Sequence, residues 1–419
     1  MPPAASSLEQ HSRAVRSEAL RLPGSISGGK IQHVVYIIQE NRSFNNLFLG
    51  FKGATTQNYG YDTHGRKIVL HPQTIATDWD IDHSSYGFFA AFDHGKLDGW
   101  NTEYACCHQP KDFAYAYAPR GETKTYWDMA EQYVLADRFF QSNIDGSYVA
   151  HQYAIAAYAD HEVNFPDTDW GCQGGPRDEV QTLKEDRSIG KNVQVCQNYP
   201  TLGDELDAAG LSWRFYTATY DGDGGIWNAY SAVKHIYDGP DYQNDVVTPA
   251  DRFTGDVAGG TLAAVTWITP TYEDSDHGGD DSHGGPAWVA SLVDAVGESR
   301  FWDSTAIFII WDDWGGWFDP VAPIYVDYDG LGFRIPMIAI SAYAKRGYVT
   351  HVQYESSSVL RFMEDNFGLP QLAASDARAA DPAADVFDFS QRPRTFVPFP
   401  FKGGRSAQRV RRPALVPGD

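Results

Sequence analysis

The sequence predicts an α/β protein built on a mostly parallel sheet, and three observations carry that reading. Apolar runs rich in β-branched and aromatic residues recur at 31–38, 262–270, 305–311 and 332–341. Each has the length and composition of a strand buried on both faces. Helical patterns lie between and after them, as at 201–210 and 356–367. Two of the runs stop on carboxylates, at Glu40 and at Asp312-Asp313, where strands of open α/β sheets emerge at their carboxyl ends and bind ligands.

Bulk properties narrow the class. The chain has 419 residues, enough for a large core, and 33 basic against 55 acidic residues give it a formal charge of -22. That balance argues against a nucleic-acid backbone or an anionic membrane as the bulk partner. The charged fraction of 21% with 24 Tyr and 12 Trp marks a globular chain rather than a disordered acidic one. No apolar run approaches the ~18 residues that cross a bilayer, and the first thirty lack the apolar centre of a secretory signal. Of the four cysteines, Cys172 and Cys196 flank a polar insertion. Their pairing would close a loop and favour an oxidising compartment. The expectation is an extracellular or periplasmic protein, with a cytoplasmic one still compatible.

Taken in order, residues 1–30 read as a loose lead-in. The strand at 31–38 runs straight into Gln39-Glu40-Asn41-Arg42-Ser43-Phe44. Glu40 and Asn41 offer hard oxygen ligands, Arg42 suits a phosphate or an acid, and Ser43 or Asn41 suits a helix N-cap. His83 follows in Asp80-Ile-Asp-His83. Ser147 comes directly after Gly146 and at the start of an Ala-rich helix that also carries His151. A glycine there permits close approach, and a helix N-terminus attracts an anion, although the same serine also suits a cap. Residues 161–198 read as a polar surface insertion. His235, His277 and His283 lie in later loops. The 305–311 strand ends on Asp312-Asp313, and Gly315-Gly316 allows the sharp turn that would aim both acids at one point. A hard cation suits that pair, and a solvated acidic turn fits the same residues. Residues 396–419 read as a tail.

The string His33-Val-Val-Tyr-Ile-Ile-Gln-Glu-Asn-Arg-Ser-Phe44 closely resembles the opening motif of the bacterial phospholipase C and acid phosphatase family of phosphoesterases, within the alkaline-phosphatase-like superfamily. Further blocks match in order: Lys96-Leu-Asp-Gly99, Gly146-Ser147 with His151-Gln152, Ser275-Asp-His277 with Gly-Pro-Ala-Trp-Val-Ala, and Phe387-Asp-Phe-Ser-Gln-Arg-Pro. The resemblance implies an alkaline-phosphatase-like core, a mixed, mostly parallel sheet flanked by helices, with loop insertions, as a single phosphoesterase domain over 31–395. It implies one divalent metal held by Glu40, Asn41, Asp312 and Asp313, with Ser147 as nucleophile and His83, His235 and His277 about the phosphate. Arg42, His151 and His283 are expected as supports behind these groups. At 234 a lysine replaces the first of the family's paired histidines, so His235 rests on a partial match. Serine at the nucleophile position resembles the acid phosphatase branch, whereas phospholipase C members more often have threonine. The expected substrate is a small phosphate ester or a phospholipid headgroup. From the residues alone, a glycoside hydrolase using paired carboxylates, or a binding protein on this scaffold, stays open.

Overall fold

The apolar run at 31–38 becomes strand β1 (His33–Gln39), and Ser43 caps the short helix α1 (Phe44–Phe48) by accepting from the Asn46 N–H at 3.2 Å. Helix α2 (Ser85–Phe92) is capped by Ser84. Helix α3 (Arg120–Gln132) leads into β2 (Val134–Ala136), and α4 (Ser147–Ala156) is buried along its whole length. Then come β3 (Trp213–Tyr216), β4 (Val246–Val247), β5 (Val265–Ile268) and α5 (Gly285–Gly297). The chain continues through β6 (Thr305–Trp311), β7 (Met337–Ser341), β8 (Tyr348–Thr350) and α6 (Ser357–Phe367). This structure, a computed structural model, describes residues 25–166, 168–220, 224–279 and 283–400. Most of the expected lead-in and the tail beyond residue 400 lie outside them.

One eight-stranded sheet runs β4-β3-β5-β1-β6-β7-β2-β8. All its pairings are parallel except the two made by β7, so the sheet is mixed and mostly parallel. The two central strands, β1 and β6, are buried throughout except at His33. That explains why they read as continuous apolar runs rather than as alternating ones. The last apolar run joins this sheet only from Met337. Ahead of it, Arg334 is fully buried against Asp319 at 3.0 Å and over the Phe44 ring.

Two expectations change. The stretch 161–198 is more than polar surface. It carries a three-stranded antiparallel sheet of Glu162–Val163, Glu179–Leu183 and Ile189–Gln194. It also buries Trp170, Val180 and Val195 in one cluster with Tyr148 and Tyr153 of α4. The tail does not begin at 396. Phe396 packs on Trp302, and the Phe399 N–H donates to Asp294 at 3.0 Å with its side chain buried.

Cys172 and Cys196 are bonded across a separation of 24 residues. Loop closure of that size contributes about 3 kcal/mol in the chain-entropy picture. The Cys172→Ala/Cys196→Ala variant should lose about that much in equilibrium denaturation, and an unchanged midpoint would remove the bridge from the stability account.

Candidate active site

The site follows from strand register. β1 and β6 pair residue for residue from His33↔Thr305 to Gln39↔Trp311, so the next residues on each, Glu40 and Asp312, emerge side by side. The Asp312 N–H donates to the Gln39 carbonyl at 2.9 Å, and the Asn41 N–H to Asp312 Oδ1 at 3.0 Å. Neighbouring strand residues face opposite ways, so Asp313 joins only because the chain turns at once. Its Oδ1 accepts the Gly315 N–H at 2.6 Å, and Gly315 and Gly316 both have positive φ. A Cβ at Gly315 would stand 2.2 Å from the Asn41 carbonyl oxygen, and one at Gly316 would stand 2.2 Å from Ile81. Asn41 itself is left-handed, φ 55°, a conformation its short amide tolerates.

Ser147 begins α4 behind the uncapped Gly146. Its Oγ lies 3.3 Å from Glu40 Oε2, from Asp313 Oδ2 and from Asn41 Nδ2. One turn on, His151 Nε2 lies 2.9 Å from Glu40 Oε1 and 3.8 Å from Asp312 Oδ2. All six residues are buried.

The donor set fits a hard cation. Asn41 Oδ1 and Asp312 Oδ2 are buried oxygens without a hydrogen-bond partner, although the Asn41 amide nitrogen is engaged with Asp313 at 3.1 Å. Glu40, His151 and Asp312 present ligand atoms within 4.8 Å of one another. Burial, and then the Asp312 charge, hold both Glu40 and Asp313 well above the usual carboxylate range. Burial pushes His151 down to about 4, so it is neutral and can donate to Glu40.

His83 Nδ1–H donates to the Ile81 carbonyl at 2.6 Å, which leaves Nε2 to accept from Asn41 Nδ2 at 2.8 Å. His277 stands edge to face with His83, ring centroids 5.8 Å apart, and its Nδ1 bonds the Gly278 carbonyl. Asp80 lies 3.9 Å from His277. The remaining expected residues are elsewhere. His235 sits on the exposed side of Lys234–Tyr237, where only Ile236 faces inward, and its two ring nitrogens meet Asn198 at 2.7 Å and Asp204 at 2.8 Å. His283 is exposed, 3.6 Å from Glu122. Arg42 donates to the Asp276 and Ile75 carbonyls at 2.7 and 2.6 Å over the Trp317 ring. Through these contacts it braces the interior, while its Nη1 is buried without a hydrogen-bond partner.

Two groups near the site escaped sequence reading. Asp80 lies three residues before His83, and Asp145 two residues before Ser147. The position of Asp145 ahead of a Gly-Ser helix start was the available signal, since a carboxylate there can collect backbone N–H groups.

A buried hydroxyl at a helix start thus lies beside acids at a strand edge whose oxygens could hold a cation. The chain belongs to the Phosphoesterase family, which matches residues 31–370, and it is a hydrolase of phosphoric ester bonds. It is 24% identical over 452 residues to phospholipase C B of Mycobacterium tuberculosis, covering 90% of this chain and 81% of that one. It is 25% identical to the hemolytic phospholipase C of Pseudomonas aeruginosa, covering 86% and 56%, and 22% identical to non-specific phospholipase C1 of Arabidopsis thaliana, covering 81% and 68%. Among solved structures, a protein in the alkaline phosphatase superfamily from Vibrio parahaemolyticus aligns over 90% of this chain and 80% of its own at 9% identity, TM-score 0.41. The PsFucS1 sulfatase from Pseudoalteromonas sp. aligns over 92% and 77% at 11% identity, TM-score 0.42.

Raised carboxyl values set the sign of a pH effect. Glu40 and Asp313 bind protons more tightly folded than unfolded, so their contribution to stability is full below their ordinary values of 4.5 and 3.8. It is lost as pH rises through the raised values. Thermal melts in chelator should therefore fall as pH rises above the ordinary carboxyl values of 4.5 and 3.8. A divalent cation should restore them by an amount that grows with pH, and a pH-independent increment would contradict the buried-acid account.

Proposed function

We propose that this protein is a metal-dependent phosphoesterase that works through a phosphoserine on Ser147. The observation that carries the reading is the Ser147 hydroxyl, 3.3 Å from Glu40 and Asp313 at the N-terminus of α4. Unpartnered Asn41 Oδ1 and Asp312 Oδ2 beside them support it. Glu40, Asn41, Asp312 and Asp313 would hold one divalent cation, which supplies a Lewis acid beside the hydroxyl and a phosphoryl oxygen.

The chain's own groups then divide the work. Ser147 attacks phosphorus and its proton passes to an adjacent carboxylate. The α4 N-terminus receives charge on the phosphoryl oxygens. His277, beside His83, would protonate the leaving-group oxygen, and water hydrolyses the phosphoserine in the second half of the cycle. His151 fixes the Glu40 carboxylate through its 2.9 Å contact. The substrate is a small phosphate ester or a phospholipid headgroup, the second supported by the relatives' names. An extracellular or periplasmic setting accords with the Cys172–Cys196 bond.

Ser147→Ala should leave a folded, metal-binding protein with turnover reduced at least ~10³-fold and no acid-stable phosphate label. Retained turnover would remove Ser147 as nucleophile. Asp312→Asn should lower bound metal in elemental analysis of the purified protein, and unchanged stoichiometry would leave the acidic pair as a turn. Parallel assays of a chromogenic phosphomonoester and a chromogenic phosphorylcholine diester, with and without chelator, separate the two substrate classes.

A further inference from the structure

The Asp145 carboxylate is fully buried, and each of its oxygens accepts from backbone. Oδ1 takes the Gly146 N–H at 2.8 Å, directly before Ser147. Oδ2 takes the Ser85 N–H at 3.1 Å, the first residue of α2 and two residues after His83. Oδ2 also takes the Asn164 N–H at 2.8 Å, from the 161–198 insertion. The turn is locked around it: Gln141 Nε2 donates to the Asp145 carbonyl at 2.7 Å, and the Asp145 N–H donates to Asn143 at 2.8 Å.

We propose that Asp145 is a positioning residue: its carboxylate ties the start of the Ser147 helix to the start of the helix after His83, and so sets where the Ser147 hydroxyl stands. The proposal rests on Ser147 being the nucleophile. A negative charge facing the positive ends of two helices is favourable there, and the three N–H contacts offset part of the burial that pushes the carboxyl up to about 7. The hydroxyl needs that restraint, because Gly146 supplies no side-chain cap and no Cβ to hold the turn. Its three 3.3 Å contacts are all long, so a small shift of the helix start moves it away from phosphorus. A displacement near 1 Å costs on the order of 10²-fold in rate.

The test is Asp145→Asn, which keeps the shape and one acceptor oxygen, beside Asp145→Ala, which keeps neither. Each is assayed on a chromogenic phosphomonoester with the metal-loaded enzyme. The expected result is a kcat fall of roughly tenfold for Asn and 10²-fold for Ala, with KM within about twofold and metal content equal to the parent's. Phosphoserine formation in a single turnover should slow by the same factor as kcat. A change in kcat under about threefold in both variants overturns the proposal. So does a loss that tracks metal content or melting temperature. Failure of both to fold assigns the carboxylate to the fold and overturns it as well. Ser147→Ala runs alongside. If that variant keeps its turnover, the nucleophile reading fails; if it is inactive while Asp145→Asn is unchanged, only the positioning role fails.

Discussion

The in-register pairing of β1 with β6 is the constraint on which the rest of the site depends. Seven matched residue pairs end at Gln39 and Trp311, and whatever follows on each strand must share one small volume at the sheet edge. A one-residue slip would turn every side chain of a strand to the other face and would separate Glu40 from Asp312. The two strands are buried over nearly their whole length, so such a slip is strongly resisted by the core. The scaffold therefore holds together acids that electrostatics alone would drive apart.

The turn after β6 depends on the same constraint. Asp313 reaches the site only through two consecutive left-handed glycines pressed against Asn41 and Ile81. No side chain fits at either position without moving backbone or core. The glycines also bring Trp314 and Trp317 into the interior, and Trp317 carries the Arg42 guanidinium. Arg42 is thus tied to the packing beneath the site. Its neighbours are carbonyls of 75 and 276, both far away in sequence, which is why its orientation could not be read from position 42.

Much of the site was legible because its chemistry is local. Glu40-Asn41, Gly146-Ser147 and Asp312-Asp313 each occupy adjacent positions at the end of a strand or the start of a helix, and period and composition locate such ends. The histidines were harder. His83 and His277 converge through loops, and His235 diverges because one short helix, Lys234–Tyr237, turns its only buried side chain, Ile236, inward and leaves the imidazole at the surface. Nothing in the spacing around 235 records that rotation. The insertion was misread for a related reason: its few apolar residues, Trp170, Val180 and Val195, are scattered in sequence and become a core only when apposed to Tyr148 and Tyr153.

The charge held at the sheet edge also bears on the order of events. Two like charges 4 Å apart repel by about 4 kcal/mol at an effective dielectric near 20, and a phosphate ester would meet Glu40, Asp312 and Asp313 together. Protonation relieves that repulsion at low pH, in keeping with the raised values of Glu40 and Asp313. Near neutrality the cation proposed for the unpartnered oxygens of Asn41 and Asp312 would relieve it instead. The positive end of α4 cannot do this alone, since a helix terminus carries only about half a unit charge. With a cation so held, cation and anionic substrate would be thermodynamically linked at this edge: each would strengthen the other's binding, and by the reciprocity of linkage the substrate should also slow loss of the metal.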